Sequence, residues 1–169
     1  MTVFHSPWAD VPITDQTITE CVFAGLIDRP SEVVLIDGPS GRSLTAEQFM
    51  EQAKRLAGGL TEQGLGAGKT IALMAPNIPE FCVIFHAVAW AGGTITTLNP
   101  SYTAPEVTHQ LADSGADILI TIPEFEKTVF QNVPHLQTET KGSGSIGRDK
   151  TITDQFAGFL KTRNAHKPF

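Results

Sequence analysis

Cysteine is scarce in this chain: Cys21 and Cys82 are the only two in 169 residues. They form no Cys-x-x-Cys pair and are too few for a disulfide framework, so a reducing, cytoplasmic setting is expected. Basic charge is also in deficit, with 12 Lys and Arg against 18 Asp and Glu and a net charge of -6. Without a basic block there is no electrostatic footprint for nucleic acid or an anionic membrane surface, and neither is expected as a partner. Long apolar runs are missing too. The longest, around Phe81 to Ala91, is interrupted by His86 and suits a buried helix better than a bilayer span. The N-terminus carries Asp10 and Asp15 and lacks the basic region and apolar run of a secretory signal. What remains is globular composition, 41% hydrophobic and 18% charged, on a chain of single-domain length.

The pattern along the chain alternates strands and helices. Thr17 and Glu20, three apart, open a short amphipathic helix over 17–26 with Ile18, Cys21, Val22 and Gly25 on one stripe. Val33 to Asp37 and Arg42 to Leu44 flank the turn sequence Gly38-Pro39-Ser40-Gly41, which predicts a small peripheral hairpin. Thr45 and Gln48 begin a second helix that carries Phe49, Ala53, Leu56 and Leu60 to a stop at Gly64. Ile71 to Met74 reads as a buried strand. Asn77, Pro79 and Glu80 read as the cap, first-turn proline and first-turn acid of a helix ending at Gly92-Gly93. Thr94 to Leu98 is another strand, Thr103 and Glu106 open a helix ending near Ser114-Gly115, and Asp117 to Thr121 is a third strand. Strand, helix, strand, helix, strand with short connections predicts an α/β fold of parallel strands joined by right-handed crossovers. Beyond Pro123 the periodicity weakens. Gln137 to Lys150 reads as a loop or linker, Ile152 to Leu160 as a weak amphipathic segment, and the rest as a polar tail.

Three stretches, LIDGPSGRSLT at 35–45, IALMAPNIPEF at 71–81 and AGGTITTLNPSYTAPEVTHQLADSGADILIT at 91–121, together resemble the N-terminal part of 4-coumarate:CoA ligases. The resemblance runs from about residue 11 to 121 and more loosely over 145–160, while the last nine residues match nothing in that pattern. One departure is Ala46, where the family usually has an aromatic residue after Leu44-Thr45. The resemblance implies a partial N-terminal subdomain of an adenylate-forming enzyme over residues 1–122, with 123–169 a weakly ordered linker and divergent or unfinished tail. It also implies a two-step parent reaction, in which ATP adenylates a carboxylic acid such as 4-coumarate and the thiol of coenzyme A displaces AMP. ATP, Mg²⁺ and coenzyme A serve that parent family. The groups that hold them there lie beyond the matched region, so no catalytic, cofactor-binding or metal-binding residue carries over to this chain. The expectation is a ligase fragment inactive alone and without a cofactor of its own. The alternative is a non-catalytic interaction module that pairs with a separately encoded ligase remainder.

Other motifs have the composition of chemical sites. GLGAGKT at 64–70 resembles a P-loop, but Gln63 stands where its first glycine belongs, and the segment leaves a helix and opens a strand, the reverse of a P-loop. A helix cap and turn is the expected role. GSGSIG at 142–147 with Lys150 has phosphate-loop spacing and resembles the Ser/Gly loop of the ligases. No strand precedes it and no helix clearly follows, so a linker is expected, with nucleotide binding as the competing reading. His86 is expected to be a core histidine with a satisfied hydrogen bond. His5, His109, His135 and His166 have no metal-ligand spacing. Asn99-Pro100-Ser101-Tyr102 follows a strand, where ligands of open α/β sheets bind, yet a strand-to-helix turn is its expected role.

Overall fold

The helices begin where side chains satisfy the first unpartnered amides. A computed structural model describes residues 3–10, 12–125, 136–138 and 160–164. In it, Thr17 Oγ1 accepts from the Glu20 N–H at 3.2 Å and the Glu20 carboxylate accepts from the Thr17 N–H at 2.7 Å, opening α1 (Ile18–Ala24). The same exchange between Thr45 and Gln48, at 3.3 and 3.0 Å, opens α2 (Ala46–Glu62). At α4 (Ala104–Ser114) the N–H and hydroxyl of Thr103 both donate to the Glu106 carboxylate at 2.7 Å. Helix α3 (Pro79–Trp90) corrects the expected Asn77 cap: its N-cap is Ile78, which makes no side-chain capping bond. Pro79 at the first helical position has no N–H to cap, and it pushes the preceding residue into the extended backbone seen at Ile78, φ -114° and ψ 158°.

The buried stripe of α1 also differs from expectation. Thr19 and Phe23 are buried and Val22 and Leu26 partly so, while Ile18, Cys21 and Gly25 are exposed. Residues 19, 22, 23 and 26 have helical spacing, but a threonine in the first position hides the stripe from a search for apolar residues.

Strands β1 (Val33–Ile36) and β2 (Ser43–Thr45) pair antiparallel as the expected hairpin. Its turn is closed by the Asp37 N–H on the Arg42 carbonyl and the Gly41 N–H on the Asp37 carbonyl, each at 2.8 Å, with Gly41 at φ 71°. Arg42 reaches across to Glu80 at the start of α3, tying the hairpin to the body at 2.5 and 3.2 Å.

The main sheet has β3 (Thr70–Met74) between β4 (Thr94–Leu98) and β5 (Ile118–Thr121), all parallel. The sheet then continues past residue 122 through β7 (Leu160–Asn164) and β6 (Leu136–Thr138), in the order β5-β7-β6 with antiparallel pairing. Both of these strands fall where the sequence predicts no strand. LKTRN has neither an apolar run nor clean alternation, so its strand state comes from pairing with β5, which no local pattern announces. The GSGSIG motif, Lys150, His135 and His166 lie outside the described residues.

Alternate residues of the parallel strands feed two different cores. Ile71, Leu73, Ile118 and Ile120 face α2 and α3, while Ala72, Met74, Leu98 and Leu119 pack with Val107 and Leu111 of α4. The chain thus crosses from β3 to β4 over one face and from β4 to β5 over the other, as right-handed crossovers in opposite directions require. Ile71 and Leu73 are wholly buried, and each such side chain contributes about 1.5–3 kcal/mol. On β4, Gln110 Nε2 donates to Thr96 Oγ1 at 2.9 Å and to the Thr97 carbonyl at 3.0 Å, locking α4 to the strand.

Candidate functional site

Adjacent strands β3 and β4 send their chains to opposite faces, and ligands of open α/β sheets usually bind beyond the carboxyl ends of such strands. Ala75 to Ile78 leaves β3 at that end and Asn99 to Thr103 leaves β4. The Asn99 motif therefore stands at the carboxyl end of the sheet. Its side-chain oxygen is committed to the turn, accepting from the Ser101 N–H at 2.9 Å and the Ser101 hydroxyl at 2.8 Å. The Tyr102 N–H closes the same turn on the Asn99 carbonyl at 3.0 Å, and the tyrosine, like Phe125, packs against the α4 core. The loop fixes the strand-to-helix geometry.

At the carboxyl end of β5, the Thr121 hydroxyl donates to the Met74 carbonyl at 2.8 Å and is wholly buried. Sequence reasoning passes over this residue because it closes the apolar run ADILIT; a polar residue ending a fully buried strand is the signal available.

GLGAGKT occupies the opposite, amino end of the sheet. Gly64, at φ 70°, follows the end of α2, and Gly68 has φ 76°. At Gly66 a Cβ atom would lie 2.7 Å from the Ala91 carbonyl oxygen, so this glycine lets the α2–β3 turn press against the end of α3. Lys69 Nζ lies 3.8 Å from Asp117 Oδ1, and Asp117 Oδ2 accepts from the Thr70 N–H at 2.8 Å. The lysine and glycines thus join the strand entrances rather than forming a phosphate cradle.

His86 sits among rings in the α1–α2–α3 layer with Nδ1 3.0 Å from Thr19 Oγ1. Burial holds its imidazole below the ordinary histidine value and pushes the Cys82 thiol up. The hydrogen bond expected of His86 is present, while the ring is half-buried rather than enclosed in the core. Among the described residues, no group of three or more His, Cys, Asp or Glu side chains is placed to hold a metal ion. Nor is any described helix long and apolar enough to cross a membrane.

The architecture matches solved structures of adenylate-forming enzymes. The luciferase-like enzyme of the mealworm Zophobas morio superposes with a TM-score of 0.67 at 18% identity, over 78% of this chain and 30% of that one, a likeness of fold. The N-terminal domain of FACL13 from Mycobacterium tuberculosis gives 0.61 at 27% identity, over 66% and 28%. The class is that of the N-terminal portion of such enzymes. The chain belongs to the AMP-binding enzyme family, which matches residues 27–167 and so includes most of the C-terminal stretch that the sequence pattern leaves unplaced. A similar protein of Oryza sativa subsp. japonica, 4-coumarate–CoA ligase 5, is 39% identical over 124 residues. That match covers 73% of this chain and 23% of the rice protein, so the chain spans under a quarter of its relative's length.

Proposed function

We propose that this chain supplies the N-terminal α/β scaffold of an AMP-forming acid:CoA ligase of the 4-coumarate type, and that the 169-residue polypeptide does not catalyse the reaction alone. The reaction of the longer enzyme would be adenylation of a carboxylic acid by ATP with release of pyrophosphate, then attack of the coenzyme A thiol on the acyl adenylate with release of AMP. That chemistry needs a triphosphate and Mg²⁺ held in place, developing charge stabilised and a thiol positioned.

One observation supports a scaffold role for the glycine turn: the lysine beside it is engaged by Asp117 at the amino end of the sheet. The observation that carries the proposal is the coverage: the match to a 4-coumarate–CoA ligase fills 73% of this chain and 23% of that enzyme.

ATP–pyrophosphate exchange by the purified polypeptide, with Mg²⁺ and 4-coumarate or other aryl and acyl acids, should show no acid-dependent rate. Clear acid-dependent exchange overturns the predicted inactivity. The scaffold role is tested separately by grafting this segment in place of its counterpart in the rice relative. A folded chimaera that retains thioester formation supports it; a folded chimaera without activity contradicts it.

A further inference from the structure

In the order β4-β3-β5-β7-β6, strands β3, β5 and β7 each have a neighbour on both sides. Strands so placed in α/β sheets are normally apolar throughout. β3 is buried from Ile71 to Met74 and β5 from Ile118 to Thr121. β7 breaks the rule, because its sequence LKTRN sets Lys161 opposite Ile120 and Arg163 opposite Ile118. Such a conflict between residue type and position weakens a strand. β6, with the sequence LQT, carries no charge, yet it stands outside β7.

The spatial order β5-β7-β6 also departs from the order in the chain. β7 is antiparallel to β5 and β6 is antiparallel to β7, so β6 runs parallel to β5. The two are already level. Arg163 is the Cα partner of both Ile118 and Gln137, and Thr162 of both Leu119 and Thr138. Residues 122–135, which connect β5 to β6, meet the length of about a dozen residues that a crossover between parallel strands needs. β7 thus fills a place that β6 fits in direction, register and connection.

We propose that β7 is a displaceable insert: it leaves the sheet, and β6 moves inward by one strand position, about 4.8 Å, to pair directly with β5. Two sheets are then available to one chain. One is the mixed five-stranded sheet, and the other is β4-β3-β5-β6, parallel throughout. The exchange removes Lys161 and Arg163 from between two strands. It also keeps the outer edge of β5 paired in both states, where an empty slot would invite a neighbouring molecule. Only this chain's own strands take part, so the exchange does not depend on a ligase role.

Disulfide trapping in the full chain tests the exchange, with Cys21→Ser and Cys82→Ala removing the native thiols. Leu119→Cys with Thr138→Cys places the new pair two strand positions apart while β7 is inserted. That separation, about 9–10 Å, exceeds the limit of about 7 Å between Cα atoms for a disulfide. With β6 on β5 the same pair stands one position apart and closes. Under mild oxidation the bond should form in the folded protein faster than β3 amides exchange, which marks an opening short of global unfolding. Thr162→Pro, which a strand with two neighbours does not accommodate, should speed closure by about tenfold. Leu119→Cys with Thr162→Cys joins Cα partners that are already adjacent and should close without delay. Closure of this second pair without the first, closure of the first pair no faster than β3 exchange, or an unchanged rate in Thr162→Pro overturns the proposal. If Leu119→Cys does not fold, Ile118→Cys with Gln137→Cys makes the same measurement. If Thr162→Pro does not fold, the comparison with β3 exchange decides.

Discussion

Thr121 at the end of β5 donates its hydroxyl to the carbonyl of Met74 at the end of β3, at 2.8 Å and with both residues wholly out of water. Thr121→Val keeps the shape and removes the donor. It should cost about 1–2 kcal/mol, read as a lower urea midpoint at unchanged slope. Thr121→Ser should retain the bond and lose less. Equal stability of Thr121→Val and wild type would show that the bond contributes nothing net.

Two glycines should respond to alanine with opposite sign. At Gly66 the added carbon would meet the Ala91 carbonyl at 2.7 Å, forcing two turns apart, so Gly66→Ala should destabilise by about 1–3 kcal/mol. Gly58 is exposed within α2 with nothing within 4 Å of its Cβ position, and Gly58→Ala should stabilise by about 0.5–1 kcal/mol. Thermal melts of the two variants should move in opposite directions.

Ala46, the departure from the aromatic residue that the sequence resemblance leads one to expect, is closed over by the surrounding structure. It is wholly buried at the first position of α2, its N–H bound to the Glu32 carbonyl at 2.9 Å. Ala46→Phe should therefore overpack the site and lower stability by about 1–3 kcal/mol in chemical denaturation. A stability gain would reveal a retained ring-sized pocket.

The three capping boxes should separate on acidification. Thr17 holds the Glu20 carboxyl, and Thr103 the Glu106 carboxyl, below their ordinary value of 4.5. Their contribution is present above that value and lost as pH falls through the lowered ones. Amide exchange at the starts of α1 and α4 should rise over this range, while the start of α2, closed by the uncharged Gln48, should not follow it. Glu106→Gln should make α4 behave like α2.

The elements from Thr17 to Thr121 can be read from the sequence because their signals are local: a threonine three residues before Glu or Gln, a proline in the first turn, glycines after the last. What the sequence hides depends on distant partners. Thr19 looks like a surface residue until His86 is placed beside it, and LKTRN resembles a polar tail until β5 offers its edge. The position of Asn99 at the carboxyl end of the sheet can also be inferred, because it follows a strand in an alternating pattern. That its oxygen is consumed by the turn depends on the loop's fold, which residue type alone does not specify.

The link between Gln110 and β4 also bears on how the protein behaves at high concentration. β4 is the outermost of the described strands on its side of the sheet. The Thr94 N–H points inward to the Lys69 carbonyl, so Ile95 and Thr97 turn their backbone groups toward solvent. Such a row invites pairing with a neighbouring molecule. Gln110 already occupies the Thr97 carbonyl, and an incoming strand must detach that amide before gaining a bond of its own. A single side chain on α4 therefore raises the threshold for edge-to-edge aggregation, and light scattering should detect Gln110→Ala self-associating at lower concentration than the wild type.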